Sequence, residues 1–235
     1  MNKVSFLFLG AVLSIAGGSA MLGGCGDDTG TGGGGTSATS ATSATSATSA
    51  TSATSSTGTG SAATLDCKSY CTEVMTNCTT TNAQYSSMES CLTVCAAYPV
   101  GALPDTEGDT LGCRIYHGGA PAISAPGTHC AHAGPTGGDK NVTDALPDTC
   151  GEGCDAFCTI AGTVCTAANM QYKDKETCLT DCKSFKTSAA VYSTADVDTN
   201  DFGCRMYHLT VAATDAASAT THCAHIIGTS AVCIK

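Results

Sequence analysis

Apolar and polar positions divide the chain into three regimes. Val4 to Ala20 is an almost unbroken apolar stretch behind a single basic residue, Lys3. From Asp27 to about Ala63 there is almost no apolar side chain beyond alanine: a glycine run, Gly32 to Gly35, gives way to Thr-Ser-Ala repeated from Thr36 to Ala53. Beyond that, apolar residues return singly among polar ones, and cysteine is the most regular of them. Cys67, Cys71 and Cys78 stand at i, i+4 and i+11, positions that share one face of an α-helix. Cys91 and Cys95 repeat the i, i+4 step. The pattern predicts a first helix capped by Asp66 or Thr64, a polar turn over Thr79 to Asn82, and a second helix capped by Ser86 or Ser87.

The same text is written twice. Cys67, Cys71, Cys78, Cys91 and Cys95 recur as Cys154, Cys158, Cys165, Cys178 and Cys182. Gly112-Cys113-Arg114-Ile115-Tyr116-His117 answers Gly203-Cys204-Arg205-Met206-Tyr207-His208. Thr128-His129-Cys130-Ala131-His132 answers Thr221-His222-Cys223-Ala224-His225, and Cys150 answers Cys233. Such self-similarity marks a duplicated structural unit. The expected division is a signal segment at 1–24, a linker at 25–63, a first Cys-rich module at 64–150 and a second at 151–235. A third helix in each module is expected to start at Asp109 and at Asn200, carrying Cys113 and His117 one turn apart.

Composition then fixes the class. Seventeen cysteines, no tryptophan and 5% aromatic residues cannot fill two conventional cores, a deficit that small exported domains make up with disulfides. Eight cysteines per module plus Cys25 account for the count, and an even number per module reads as a disulfide framework. Antiparallel packing of the two C-x3-C helices sets Cys67 opposite Cys95 and Cys71 opposite Cys91, and likewise Cys154 opposite Cys182 and Cys158 opposite Cys178. The arrangement resembles the α-hairpinins over about thirty residues per module. Cys78, Cys113, Cys130 and Cys150 then join in one of three ways, as do Cys165, Cys204, Cys223 and Cys233. The expected fold is small, α-helical and disulfide-rich, as two tandem cystine-stapled modules after a disordered tether.

Leu22-Gly23-Gly24-Cys25, closing the apolar stretch, resembles the lipobox of bacterial lipoproteins. The resemblance implies a cleaved signal peptide, lipidation at Cys25 and a protein anchored to the membrane without spanning it. Gly26 rather than aspartate follows the cysteine, which in that family implies the outer membrane or cell surface of an exported protein. The next forty or so residues cannot offset the entropy of folding, and as a flexible tether they have a mean span of about 35 Å.

Charge and motifs exclude more than they assign. A net charge of −10 argues against nucleic acid, whose phosphates need a basic face. No phosphate loop, nucleophile elbow or H-E-x-x-H helix is present, and C-x-x-C-H, the covalent c-type haem string, is absent. Asp105-x-Glu107-x-Asp109, answered by Asp196-x-Asp198-x-Asn200, looks like the start of a calcium loop without its glycine and final glutamate, and reads instead as an acidic turn running into a helix cap. All six histidines fall at three equivalent positions per module: His117, His129 and His132, then His208, His222 and His225. Three imidazoles suit Zn²⁺ or Cu²⁺; the competing reading packs them, with Arg114 and Arg205, around the disulfides. The expected function is therefore a membrane-anchored cell-envelope lipoprotein acting in non-enzymatic binding or envelope structure through an unknown envelope or extracellular partner. Metal (Zn or Cu) or redox-cofactor binding through the histidine triplets is the alternative.

Overall fold

The computed structural model describes residues 65–139 and 149–234. The expected signal segment, Cys25 and the linker to residue 63 lie outside the described residues. All described residues belong to one compact unit, Thr57–Lys235. The first repeat contributes α1 (Cys67–Asn77), α2 (Met88–Cys95), α3 (Leu111–Gly118), α4 (Ala120–Ser124) and α5 (Pro126–Ala133). The second contributes α6 (Gly153–Val164), α7 (Lys175–Cys182), α8 (Phe202–Ala212) and α9 (Ala216–His222). Among the described residues there is no strand, and no helix long and apolar enough to cross a membrane.

Most of the longer helices begin where a short polar side chain satisfies an open amide. Asp66 accepts from the Ser69 N–H at 2.9 Å, Ser87 from Ser90 at 3.1 Å and Asp174 from Thr177 at 2.8 Å. The turn after α1 is a 3₁₀ helix, Thr80–Asn82, mirrored by Ala167–Asn169 in the second repeat. The third helix starts one residue later than Asp109 and Asn200 suggested: its caps are Thr110, accepting from Cys113 N–H, and Asp201, accepting from Cys204 N–H. Asp109 is spent elsewhere, 2.7 Å from the Arg114 guanidinium. Gly118-Gly119 then breaks α3, and Pro121 sits in the first turn of α4. Leu209-Thr210 stands at the same place in the second repeat, so α8 runs on to Ala212.

Eight disulfides staple the helices. Cys67–Cys95 and Cys71–Cys91 join α1 to α2; Cys154–Cys182 and Cys158–Cys178 join α6 to α7. Of the three arrangements left open by spacing, both repeats adopt the same one. Cys78–Cys130 and Cys165–Cys223 tie the end of the first helix to the histidine-bearing segment. Cys113–Cys150 and Cys204–Cys233 tie the third helix to the end of the repeat. The bonds close loops of 20 to 58 residues, which removes freedom from the unfolded chain. Gly112 lies so close to the preceding loop that a Cβ there would sit 2.0 Å from the Ala102 carbonyl oxygen, the reason glycine opens the Gly-Cys-Arg string.

Between the staples, the first repeat buries Tyr70, Tyr85 and Tyr98, whose hydroxyls form a chain with O···O separations of 2.9 and 2.8 Å. The second repeat has Phe157, Tyr172 and Phe185 in the same places. The two repeats pack on each other through α2, which meets α6 and α8. Thr194 N–H donates to the Ala83 carbonyl at 2.8 Å, Gln84 Nε2 to the Tyr192 carbonyl at 3.2 Å, and the Ser90 hydroxyl to the Thr210 carbonyl. At the junction, the Gly153 N–H donates to the Asp139 carboxylate at 2.9 Å.

Candidate functional site

Each repeat gathers its three histidines from two segments. His117 is in the last turn of α3, while His129 and His132, three residues apart, project from one face of α5. In the second repeat His208 is on α8, His222 ends α9, and His225 closes the 3₁₀ turn Cys223–His225. Cys130 and Cys223 lie between the members of each pair, so the bonds to Cys78 and Cys165 hold the segment carrying two of the three rings.

The rings converge closely. His117 Nδ1 and His129 Nδ1 are 2.8 Å apart, as are His208 Nδ1 and His222 Nδ1, with His225 Nδ1 3.3 Å from His208 Nδ1. Ring centroids are 5.1, 4.9 and 5.5 Å apart in the first repeat and 5.1, 4.7 and 5.6 Å apart in the second. A tetrahedral ion with Zn–N bonds of 2.0–2.1 Å spaces its ligand nitrogens about 3.3 Å apart and their ring centroids about 5.2 Å apart. The centroid separations of both clusters bracket the second value, and the nitrogen separations of 2.8 to 3.3 Å lie at or just below the first. Candidate ligand atoms of His117, His129 and His132 lie within 4.8 Å of one another, and so do those of His208, His222 and His225.

The surroundings set the protonation. His117 Nε2 donates to the Thr106 carbonyl at 3.1 Å, which leaves the lone pair of a neutral ring on Nδ1, facing the cluster. A carbonyl holding the second ring nitrogen is the usual support of a metal-ligating histidine. Burial pushes the His117 pKa down, opposed by the Thr106 carbonyl and reinforced by His129. His208 is pushed down to about 4, first by burial and then by His225 and His222, with the Val197 backbone pulling the other way. His222 is lowered by burial and by His225. Rings that resist protonation remain available as ligands. Cys113 and Cys150 also lie within reach of His117, and Cys204 and Cys233 of His208, but their sulfurs are joined to each other and are not thiolate donors.

The other candidates have structural partners. Arg114 is fully buried, pairs with Asp109, donates to the Thr110 and Gly134 carbonyls, and lies 3.8 Å over the Tyr98 ring. Arg205 donates to Asp201, Ile227 and Gly228 carbonyls and lies 4.4 Å over Phe185. The acidic triplets do not converge as a calcium loop would. Asp105 accepts from Ala102 N–H and Thr110 hydroxyl, Asp196 accepts from Ser193 N–H, and Asp109 is held by Arg114. Sequence reasoning missed the Thr106 and Val197 carbonyls, because backbone acceptors leave no residue signature. It also missed Asp181, which accepts from Tyr172 hydroxyl and Gly228 N–H; its counterpart is Val94, and that exchange was visible in the repeat alignment.

Residues 36–144, just under half of the chain and including most of the first repeat, match the BfoA family C-terminal domain. No curated protein matches the chain, and no solved structure does. The match is to a disulfide-rich domain and carries no activity with it.

Proposed function

We propose that this protein binds transition-metal ions, Zn²⁺ or Cu²⁺, at two equivalent three-histidine sites, one per repeat, and that it does so as an exported lipoprotein. The observation that carries the metal reading is the convergence of three ring nitrogens twice over, with the centroid spacings of the two clusters agreeing to 0.2 Å or better. His117, His129 and His132 hold the first ion, and His208, His222 and His225 the second. Three neutral imidazoles leave a tetrahedral ion one position for water or an outside ligand, so the activity supported is metal capture or presentation. The stapled helices hold each site in place. The lipobox-like Leu22-Gly23-Gly24-Cys25 and the Thr-Ser-Ala tether support lipidation at Cys25 and display at the outer membrane or cell surface. The envelope partner is left to the metal's open position.

Titration calorimetry of the full chain with Zn²⁺ and with Cu²⁺, backed by elemental analysis, tests the reading. Two ions per chain are expected, one after His117→Ala or His208→Ala, and none after both. Heats and metal content indifferent to both substitutions would end it.

A further inference from the structure

The contact between the two repeats has an unfilled counterpart at each end of the pair. Inside the chain, the hairpin face of the first repeat presents Ala83, Gln84, Ser90 and Val94, and the second repeat covers it with Tyr192, Thr194 and Thr210. Val94 on α2 and Ile160 on α6, two helices that meet there, are both fully buried. The repeat register gives the counterparts directly. Hairpin residues shift by 87; beyond a four-residue insertion the shift is 91, as fixed by the Ala102–Asp105 turn matching Ser193–Asp196. The second repeat's own hairpin face is thus Met170, Gln171, Thr177 and Asp181. The first repeat's counterpart of the covering face is Glu73, Gly101, Leu103 and Gly119.

Both counterpart faces are partly open. Met170 is 57% exposed and Leu103 and Tyr116 are each 40% exposed, whereas Tyr192, Gln84 and Val94 are buried. Glu73, Leu103, Ile115, Tyr116 and Gly119 line one groove. Two of the three hydrogen bonds of the internal contact have counterpart groups, Leu103 N–H for the Met170 carbonyl and Gln171 Nε2 for the Gly101 carbonyl; the third does not, because the Thr177 hydroxyl donates to Asp174 and Gly119 is buried beside the Glu73 carboxylate. Gln171 is even held by the Asn169 carbonyl at 2.9 Å, as Gln84 is by Asn82 at 3.0 Å. Met170 in place of Ala83 makes up part of the volume lost where Gly101 stands for Tyr192. The apolar pair is not conserved. Val94 becomes Asp181 and Ile160 becomes Glu73, so a carboxylate stands on each face.

We propose that these faces are the two halves of a head-to-tail contact between chains, built like the contact inside the chain, and that Glu73 and Asp181 block it. A heterologous contact of this kind has no closure and would propagate into filaments, and tandem stacks end with polar outer faces for that reason. Two carboxylates brought together without a counter-charge repel and lose water. The native chain is therefore a self-terminating pair of repeats, and its cognate partner surface, once the acids are removed, is a second copy of itself.

Sedimentation velocity tests this on the full chain, carrying Cys25→Ser throughout so that no lipid contributes. The otherwise native sequence is expected to sediment as one chain at neutral pH. Glu73→Ile with Asp181→Asn is expected to associate with rising concentration, and Leu103→Asp added to that pair should return it to single chains. Glu73→Lys alone, facing the native Asp181, should associate at low salt and dissociate in 1 M salt. Asp181 also serves its own repeat, so near-ultraviolet circular dichroism must show the double variant folded; if it is not, Glu73→Lys decides. Folded variants that stay single at every concentration, or a native sequence that associates as strongly as they do, would overturn the proposal.

Discussion

The two repeats bury one arginine each and balance it from opposite sides. In the first, Arg114 takes its carboxylate from Asp109, just before its own helix, and lies on a tyrosine whose hydroxyl belongs to a buried chain of three. In the second, the residue equivalent to Asp109 is Asn200, and the acid that favours the Arg205 charge most is Asp181, where the first repeat has Val94. Arg205 lies over a phenylalanine and is less enclosed. One carboxylate per arginine has been kept while its position moved. The disulfides and the histidine clusters have not moved at all. Charge balance around the guanidinium is thus a local problem with more than one solution, whereas the spacing of three rings and four bonds is shared by both repeats.

The largest effect expected from breaking this symmetry comes from the arginines. Arg114→Met leaves the half-buried Asp109 and the Thr110 and Gly134 carbonyls without their donor, and should cost about 2–3 kcal/mol of unfolding free energy. Arg205→Met should cost about half as much, because no carboxylate lies within ion-pair distance of Arg205 among the described residues. Guanidinium titrations of the two variants, read as midpoints with unchanged slope, check it; equal losses would mean that the Arg114–Asp109 pair has no energetic weight.

Acid sharpens the comparison at the histidines. A group whose folded pKa is depressed binds its proton more readily in the unfolded chain. Its contribution is fully present above the unfolded value near 6.5 and is lost as pH falls towards the folded value. With His208 lowered to about 4 and His222 also lowered, the metal-free protein should lose about 1–2 kcal/mol between pH 6.5 and 4, after allowing for solvent screening at the part-exposed His222 ring. In the first repeat His117 is lowered by burial and by one neighbouring ring, His129, where His208 feels two. His208→Gln should therefore flatten the pH dependence of the melting temperature more than His117→Gln does.

Cysteine spacing made the helical hairpins legible, because i, i+4 and i+11 on one helix meet i, i+4 on the next with little freedom left. It could not choose among the last bonds, since Cys78 to Cys130 spans 52 residues and no periodicity crosses that interval. The identity of the histidine candidates was readable from repetition, yet their convergence was not: His117 and His129 come from different helices, and the packing of α3 on α5, with Cys78–Cys130 holding α5 to the end of α1, sets the angle between them. Helix α3 began a residue late because Asp109, a good cap by type, is claimed by a charge five residues on. Inter-repeat packing left its trace only in paired exchanges such as Val94 with Asp181, which look like surface drift until the two helices are seen to meet.

The smallest difference concerns helix starts, and it follows from the junction between repeats. Asp66 caps α1 with its own carboxylate, so Asp66→Ala should cost about 1 kcal/mol. The repeat counterpart of Asp66 is Gly153, where α6 starts one residue earlier than α1 does; its cap position falls to Glu152, which makes no side-chain cap bond. The open amide there, Gly153 N–H, is taken by Asp139 from the segment linking the repeats. Glu152→Ala should leave the denaturation midpoint where it is, while Asp139→Ala, which removes a buried acceptor, should cost at least as much as Asp66→Ala. Were Glu152→Ala the more damaging of the two, the link would not be acting as the cap of the second repeat, and α6 would owe its start to its own sequence.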